Sequence, residues 1–176
     1  LREMMLRYVG GYCRKADLVI TPTPQIREFA VSTYGLDAED VRAIPTGIDL
    51  DEFGRRGDAD TVRTRLGIPE DALVLTFVGR LGREKNVDFL SHAFKLVARK
   101  RNDVHLVLVG DGPMRPQFEQ LVEEEGLTAR VHFTGTLSKR EVIDVYHAAD
   151  VFVIASTTET QGLVTLEAMA AGLPVV

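Results

Sequence analysis

From Leu73 to its end, the chain alternates short apolar runs with amphipathic stretches, and no other feature restricts its fold as tightly. The runs at residues 73–78, 104–109, 131–134 and 151–155 are rich in Val, Leu and Phe and too short for ordinary helices, so each predicts a strand. Between them, Val87, Leu90, Phe94 and Val97 recur at helical spacing, and residues 113–125 form a helical pattern closed by Gly126. Ser138 opens another helix, with Glu141 three residues on completing a capping box, and residues 162–171 make the last. Strands apolar on both faces and separated by helices predict a parallel sheet covered on both sides, which is the α/β, doubly wound class.

The earlier residues fit this scheme less well. Residues 1–15 read as a helix, 18–20 as a strand, 24–34 as a helix with Thr23 as cap, Pro24 first and Gly35 last, and 41–44 as a short strand. Periodicity then lapses over residues 45–57, where Gly, Asp and Arg gather. The domain boundary is expected there, making residues 1–50 the tail of one domain plus a linker and residues 51–176 a second, incomplete domain. The first residue is Leu and the last two are valines that read as the start of a strand, so both ends are expected to be cuts.

Charge and composition exclude several function classes. The net charge is −5, and residues 113–176 hold 4 Lys and Arg against 9 Asp and Glu, the opposite of the basic surface that polymeric nucleic acid requires. No apolar run approaches the roughly 20 residues of a membrane-spanning helix, and neither a transmembrane segment nor a signal peptide is expected. The single Cys13 has no disulfide partner and reads as an idle thiol, which points to a reducing, cytoplasmic compartment.

In an open parallel sheet, ligands bind beyond the carboxyl ends of the strands, so the residues following each strand are the candidates. They are Gly79, Arg80 and Lys85; Gly110, Asp111, Gly112 and Pro113; Gly135, Thr136 and Leu137; and the polar run from Ser156 to Gly162. Glycines there let backbone amides approach a ligand, and helix N-termini favour an anion. Arg80 and Lys85 beside such a terminus suit a diphosphate. A plainer reading is available for each, since glycines close tight turns and loop cations are commonly solvated. Glu167 is harder to explain so simply. Residues 162–171 are almost wholly apolar and are expected to be buried, an unpaired buried carboxylate is costly, and that helix carries no Lys or Arg. A vicinal diol of a bound ligand would supply the hydrogen bonds. Glu159 precedes the same helix at its positive end, where any acidic residue is favoured.

Glu159 and Glu167, with seven residues between them, resemble the paired glutamates of family 4 (group 1) retaining glycosyltransferases of the two-domain GT-B fold. Residues 79–85, 110–113, 131–135 and 167–176 are similar to further family segments, and the likeness covers nearly the whole chain. The runs 44–48 and 159–163 are most similar to bacterial diacylglycerol glucosyltransferases, which make membrane glycolipids.

The resemblance implies a Rossmann-like half of a GT-B fold, truncated at both ends, in which residues 1–50 close the acceptor-side domain and residues 51–176 bind a nucleotide-sugar donor. It implies that Arg80 and Lys85 neutralise the leaving diphosphate and that Glu167 holds the ribose. Glu159, with the amides of Gln161, Gly162, Leu163 and Val164, would hold the donor sugar and its phosphates. The backbone near Thr136 and Leu137 would meet the base, and Gly79, Gly110 and Gly112 would be donor-binding. The expected reaction moves a sugar with retention, UDP-glucose being the expected donor, to a lipid or glycan acceptor held by the other domain. No metal, cofactor or nucleic acid is expected.

This chain departs from the family at Asn86, where Gly commonly follows the Lys; Asn can also cap the following helix. With the acceptor domain absent, the chain alone is expected to bind nucleotide weakly and not to transfer sugar. His92, His105, His132 and His147 read as structural. The basic N-terminal helix, with Arg2, Arg7, Arg14 and Lys15, offers peripheral contact with an anionic membrane or a solvated face that packs on other residues. A sugar phosphorylase would need a pyridoxal phosphate lysine whose context is not found. The remaining alternative is a non-catalytic α/β nucleotide-binding or regulatory module.

Overall fold

Two bodies make up the computed structural model, which describes residues 2–176. One comprises residues up to Gly47 together with Glu159–Gly162, the other Ile48–Thr158 and Leu163–Val176. In the first, helix α1 (Arg2–Cys13) leads to strand β1 (Val19–Thr21), helix α2 (Pro24–Tyr34) and strand β2 (Val41–Ala43). The strands pair in parallel, Val19 opposite Val41, with α2 as their crossover. Thr23 Oγ1 accepts from the Ile26 amide at 3.2 Å, and Gly35 ends α2 in a left-handed conformation, as the residue types require. Ala30, Leu36 and Val41 form a small core. The Arg14 guanidinium donates to the Tyr34 carbonyl at 2.6 Å and so ties α1 to the end of α2.

The second body begins with two helices that hydrophobic periodicity did not disclose, α3 (Leu50–Gly54) and α4 (Ala59–Leu66). Their caps are plain in retrospect. Asp49 accepts from the Glu52 amide at 3.0 Å, Asp58 from the Thr61 amide at 3.1 Å, and Gly67 closes α4 with φ 65°. Each helix buries a single side chain, Phe53 or Val62, too few to produce a period.

The alternation follows: β3 (Leu73–Val78), α5 (Val87–Lys100), β4 (Val104–Val109), α6 (Arg115–Glu124), β5 (Val131–Gly135), α7 (Lys139–Ala148), β6 (Val151–Phe152) and α8 (Leu163–Ala170). The sheet order is β5-β4-β3-β6 and every named pair is parallel. Counted along the chain this is 3-2-1-4, the order of a Rossmann half, with its switch point between β3 and β6. On one face Phe77, Leu106 and Leu108 pack with Leu90 and Phe94 of α5 and Phe118 and Val122 of α6. On the other, Val74, Val107 and Val109 meet Val62 of α4 and Val145 and Ala148 of α7. All six residues of β4 are buried, so the predicted double-faced sheet is realised.

Three expectations need correction. β6 covers two residues rather than five: its pairing with β3 is at Val151 and Phe152, and Val153 N donates once more to Thr76 O, while on the outer side Phe152 forms an isolated bridge with Val175. Val97 is 37% exposed, and the core position on that turn of α5 is Ala98. α8 is not buried throughout. Ala168 is its one fully buried residue and Met169 is 58% exposed, since α3 and the Tyr146–Phe152 cluster cover a single side of it. Among the described residues no helix is long and apolar enough to cross a membrane.

Candidate functional site

The loops following β3 and β4 are built into each other. Gly79 N donates to Val109 O, Leu81 N to Asp111 O, Met114 N to Leu81 O and Gly110 N to Gly135 O, all at 2.8–2.9 Å. A Cβ on Gly110 would lie 2.1 Å from the Gly79 carbonyl oxygen, and one on Gly112 would lie 2.4 Å from that of Leu81. These two glycines therefore serve close backbone packing. The expectation that rim amides generally face a ligand is corrected for Gly79 and Gly110, whose N–H groups are taken by carbonyls. The Gly112 amide is likewise taken, by Asp111 Oδ1 at 2.7 Å.

This packing leaves a cleft of about 310 Å³ over the ends of β3, β4 and β5, lined among others by Gly79, Arg80, Gly110, Asp111, Thr136 and Leu137. Six of the candidate residues thus meet in one place. Val78 and Val142 form its apolar wall. Arg80 and Thr136 are exposed. Behind Gly135, Arg115 bonds to Asp111 at 3.2 Å and Glu119 at 2.7 Å and lies 5.6 Å from the Phe133 ring centre.

Lys85 and Gly112 do not line this cleft. Lys85 ends a 3₁₀ turn, Arg83–Lys85, and is half-buried. Asn86 follows at φ 52°, with no side-chain bond to the helix it precedes. The capping expectation is thereby replaced by a conformational reason: the position is left-handed, which glycine and, next best, asparagine tolerate.

Glu167 is half-buried on α8 and has a partner that the sequence did not reveal. The Tyr146 hydroxyl of α7 donates to its Oε2 at 3.2 Å and also faces the Val164 carbonyl at 3.3 Å. Burial, then the charge of Glu167, push the Tyr146 phenol far above its ordinary range and keep it protonated. Val78 and Val142, the cleft's wall, pack against the cluster that contains Tyr146, so the carboxylate's support and the cleft share side chains. Tyr146 escaped notice because its place on the apolar face of α7 reads as core, and only contact across the chain couples it to Glu167.

Glu159, Gln161 and Gly162 belong to the first body. There Gln161 Oε1 accepts from the Thr46 amide at 2.9 Å and Nε2 donates to the Thr46 carbonyl at 2.6 Å. Leu163 and Val164 open α8 in the second. The four histidines make structural contacts. His92 Nδ1 lies 2.7 Å from Asp88 O, His147 Nε2 lies 3.0 Å from Phe53 O, and His105 Nδ1 lies 3.0 Å from His132 Nε2. Burial and nearby Arg130 lower the His105 pKa; burial and His105 bring that of His132 down to about 4.

Residues 58–176 match the family described as glycosyl transferases group 1, and residues 1–52 that described as glycosyltransferase family 4. The chain belongs to the group 1 glycosyltransferases. It is 36% identical to the alpha-monoglucosyldiacylglycerol synthase of Streptococcus pneumoniae, with all of this chain aligned to 41% of that protein. It is 39% identical to the sulfoquinovosyl transferase SQD2 of Arabidopsis thaliana, over 93% of this chain and 31% of that one. This glycosyltransferase chain therefore spans well under half the length of these relatives. Its fold superposes on Anabaena HepE, crystallised with UDP and glucose, at a TM-score of 0.85 and 26% identity, over 99% of this chain and 48% of HepE. The doubly wound sheet is the Rossmann-like half of a GT-B glycosyltransferase.

Proposed function

We propose that this chain carries the donor-binding side of a retaining glycosyltransferase that moves glucose from UDP-glucose to a lipid or glycan acceptor. The observation that carries the reading is the cleft where Arg80, Thr136 and Leu137 converge over the carboxyl ends of three parallel strands. The names of two similar proteins support the choice of ligands: HepE was crystallised with UDP and glucose, and the Streptococcus relative is a glucosyldiacylglycerol synthase.

In this reading Arg80 and Lys85 stabilise the charge that develops on the departing diphosphate, a preorganised electrostatic contribution of the kind that commonly dominates rate enhancement. Thr136 and Leu137 meet the base, Glu167 accepts from the ribose hydroxyls, and Glu159 with residues 161–164 holds the sugar and its phosphates. The glycines act one step removed, since Gly79, Gly110 and Gly112 let two loops close on each other and so shape the cleft. Neither a metal nor a cofactor enters the reaction, because the fixed cations serve the leaving group. The acceptor is bound by residues outside this chain, which by itself binds nucleotide without transferring sugar. Residues 1–50 are the tail of the acceptor-side domain plus the linker.

Titration calorimetry of the chain with UDP, GDP and ADP tests this. Binding of UDP in the micromolar to millimolar range, weakened about tenfold or more in Arg80→Ala and in Glu167→Ala chains that remain folded, is the expected result. A folded chain that binds none of the three would instead be a non-catalytic α/β module.

A further inference from the structure

Tyr146 is completely buried, and its ring packs between Phe53, with centroids 6.3 Å apart, and Phe152, at 6.0 Å. A phenylalanine would fill that space equally well, so the hydroxyl needs its own explanation. It reaches two acceptors on α8, the Val164 carbonyl and Glu167 Oε2. The Val164 carbonyl lies within a helix that supplies its own backbone donors, whereas that helix carries no Lys or Arg to pair with the Glu167 side chain. The other groups around Glu167 do not replace the phenol. Lys139 of α7 is close enough to feel the Glu167 charge, but its ammonium bonds to Glu52 of α3. Among the described residues, Tyr146 gives the Glu167 carboxylate its hydrogen bond.

We propose that Tyr146 is a positioning residue for Glu167: its phenol holds Oε2 and so turns Oε1 toward the ribose diol of a bound nucleotide. This rests on the ribose reading of Glu167 given above. A carboxylate on a half-exposed helix turn has several rotamers, and only some present both lone pairs of one oxygen to a vicinal diol. A donor fixed by a buried aromatic ring selects among them before the ligand arrives, which lowers the ordering cost of binding. The arrangement also ties the Glu167 carboxylate to α7, whose Val142, one turn before Tyr146, lines the cleft.

The test compares UDP with 2′,3′-dideoxy-UDP, which lacks the diol, by calorimetry on the wild-type, Tyr146→Phe and Glu167→Ala chains, with a thermal melt of each. The wild-type chain should prefer UDP by about tenfold, and Tyr146→Phe should lose ~3- to 10-fold in UDP affinity with dideoxy-UDP binding unchanged. A purely structural tyrosine would weaken both ligands alike, in step with the melting temperature, and would overturn the proposal. If Tyr146→Phe keeps the full UDP preference while Glu167→Ala loses it, the positioning role fails and the ribose reading stands. No preference, or no UDP binding, in the wild-type chain overturns both.

Discussion

β3 and β4 run side by side over six residues and end in loops whose amides bond to one another's carbonyls. β6 pairs with β3 over two residues, and α8 beyond it buries one side chain completely. One sheet thus has a side whose shape is set by backbone packing and a side whose shape depends on a few side chains. The first fixes the cleft; the second holds Glu167 through a single phenol. On the β6 side the Ser156 hydroxyl is buried with no hydrogen-bond partner among the described residues, whereas on the β3–β4 side the Gly79, Leu81, Gly110 and Gly112 amides are all bonded.

The sharpest way to break this comparison is to substitute both sides. Gly110→Ala places a Cβ 2.1 Å from the Gly79 carbonyl oxygen at a residue with φ 119°, so backbone must move, and a loss of more than ~3 kcal/mol is expected. Met169→Ala on the exposed face of α8 should stay within about 0.5 kcal/mol. Urea denaturation of both variants checks the pair, and similar losses would show that the two sides are equally constrained.

A smaller effect should follow pH. His105 and His132 bond to each other on β4 and β5, and both titrate below the ordinary imidazole value of about 6.5, His132 at about 4. Between these values the unfolded chain binds more protons than the folded one. Their contribution is therefore complete above about pH 6.5 and is lost as the pH falls toward about 4, at no more than ~1.4 kcal/mol per pH unit for each proton, and less for the partly exposed His132. Denaturation midpoints at pH 7.5 and 5.5, compared with those of His132→Gln, should show a slope that the variant flattens. An unchanged slope in the variant would remove the pair from the account of the β4–β5 edge.

The legibility of the sequence followed the same division. Residues 73–78 and 104–109 were readable to the residue because side chains pack on both faces of each strand, which leaves a run that is apolar apart from Thr76 and His105. The capping box at Ser138 and Glu141 and the stop at Gly35 are local devices and were equally plain. α3 and α4 were hidden because helices that bury one residue each have no period to detect. At the site, Arg80, Thr136 and Leu137 could be found from their place after strands, a rule of topology. The glycines could be found in the same way, but not the bonds their amides make, since which amide meets which carbonyl is decided by two loops distant in sequence. Tyr146 stayed invisible for that reason too.

The most direct measurement is an amide NMR titration of the isotopically labelled chain with UDP. The account predicts saturable shifts centred on Arg80, Thr136, Leu137 and the Glu167 turn of α8, with the cores of α5 and α6 unmoved. Shifts centred on the opposite edge of the sheet, or none at millimolar UDP, would contradict it.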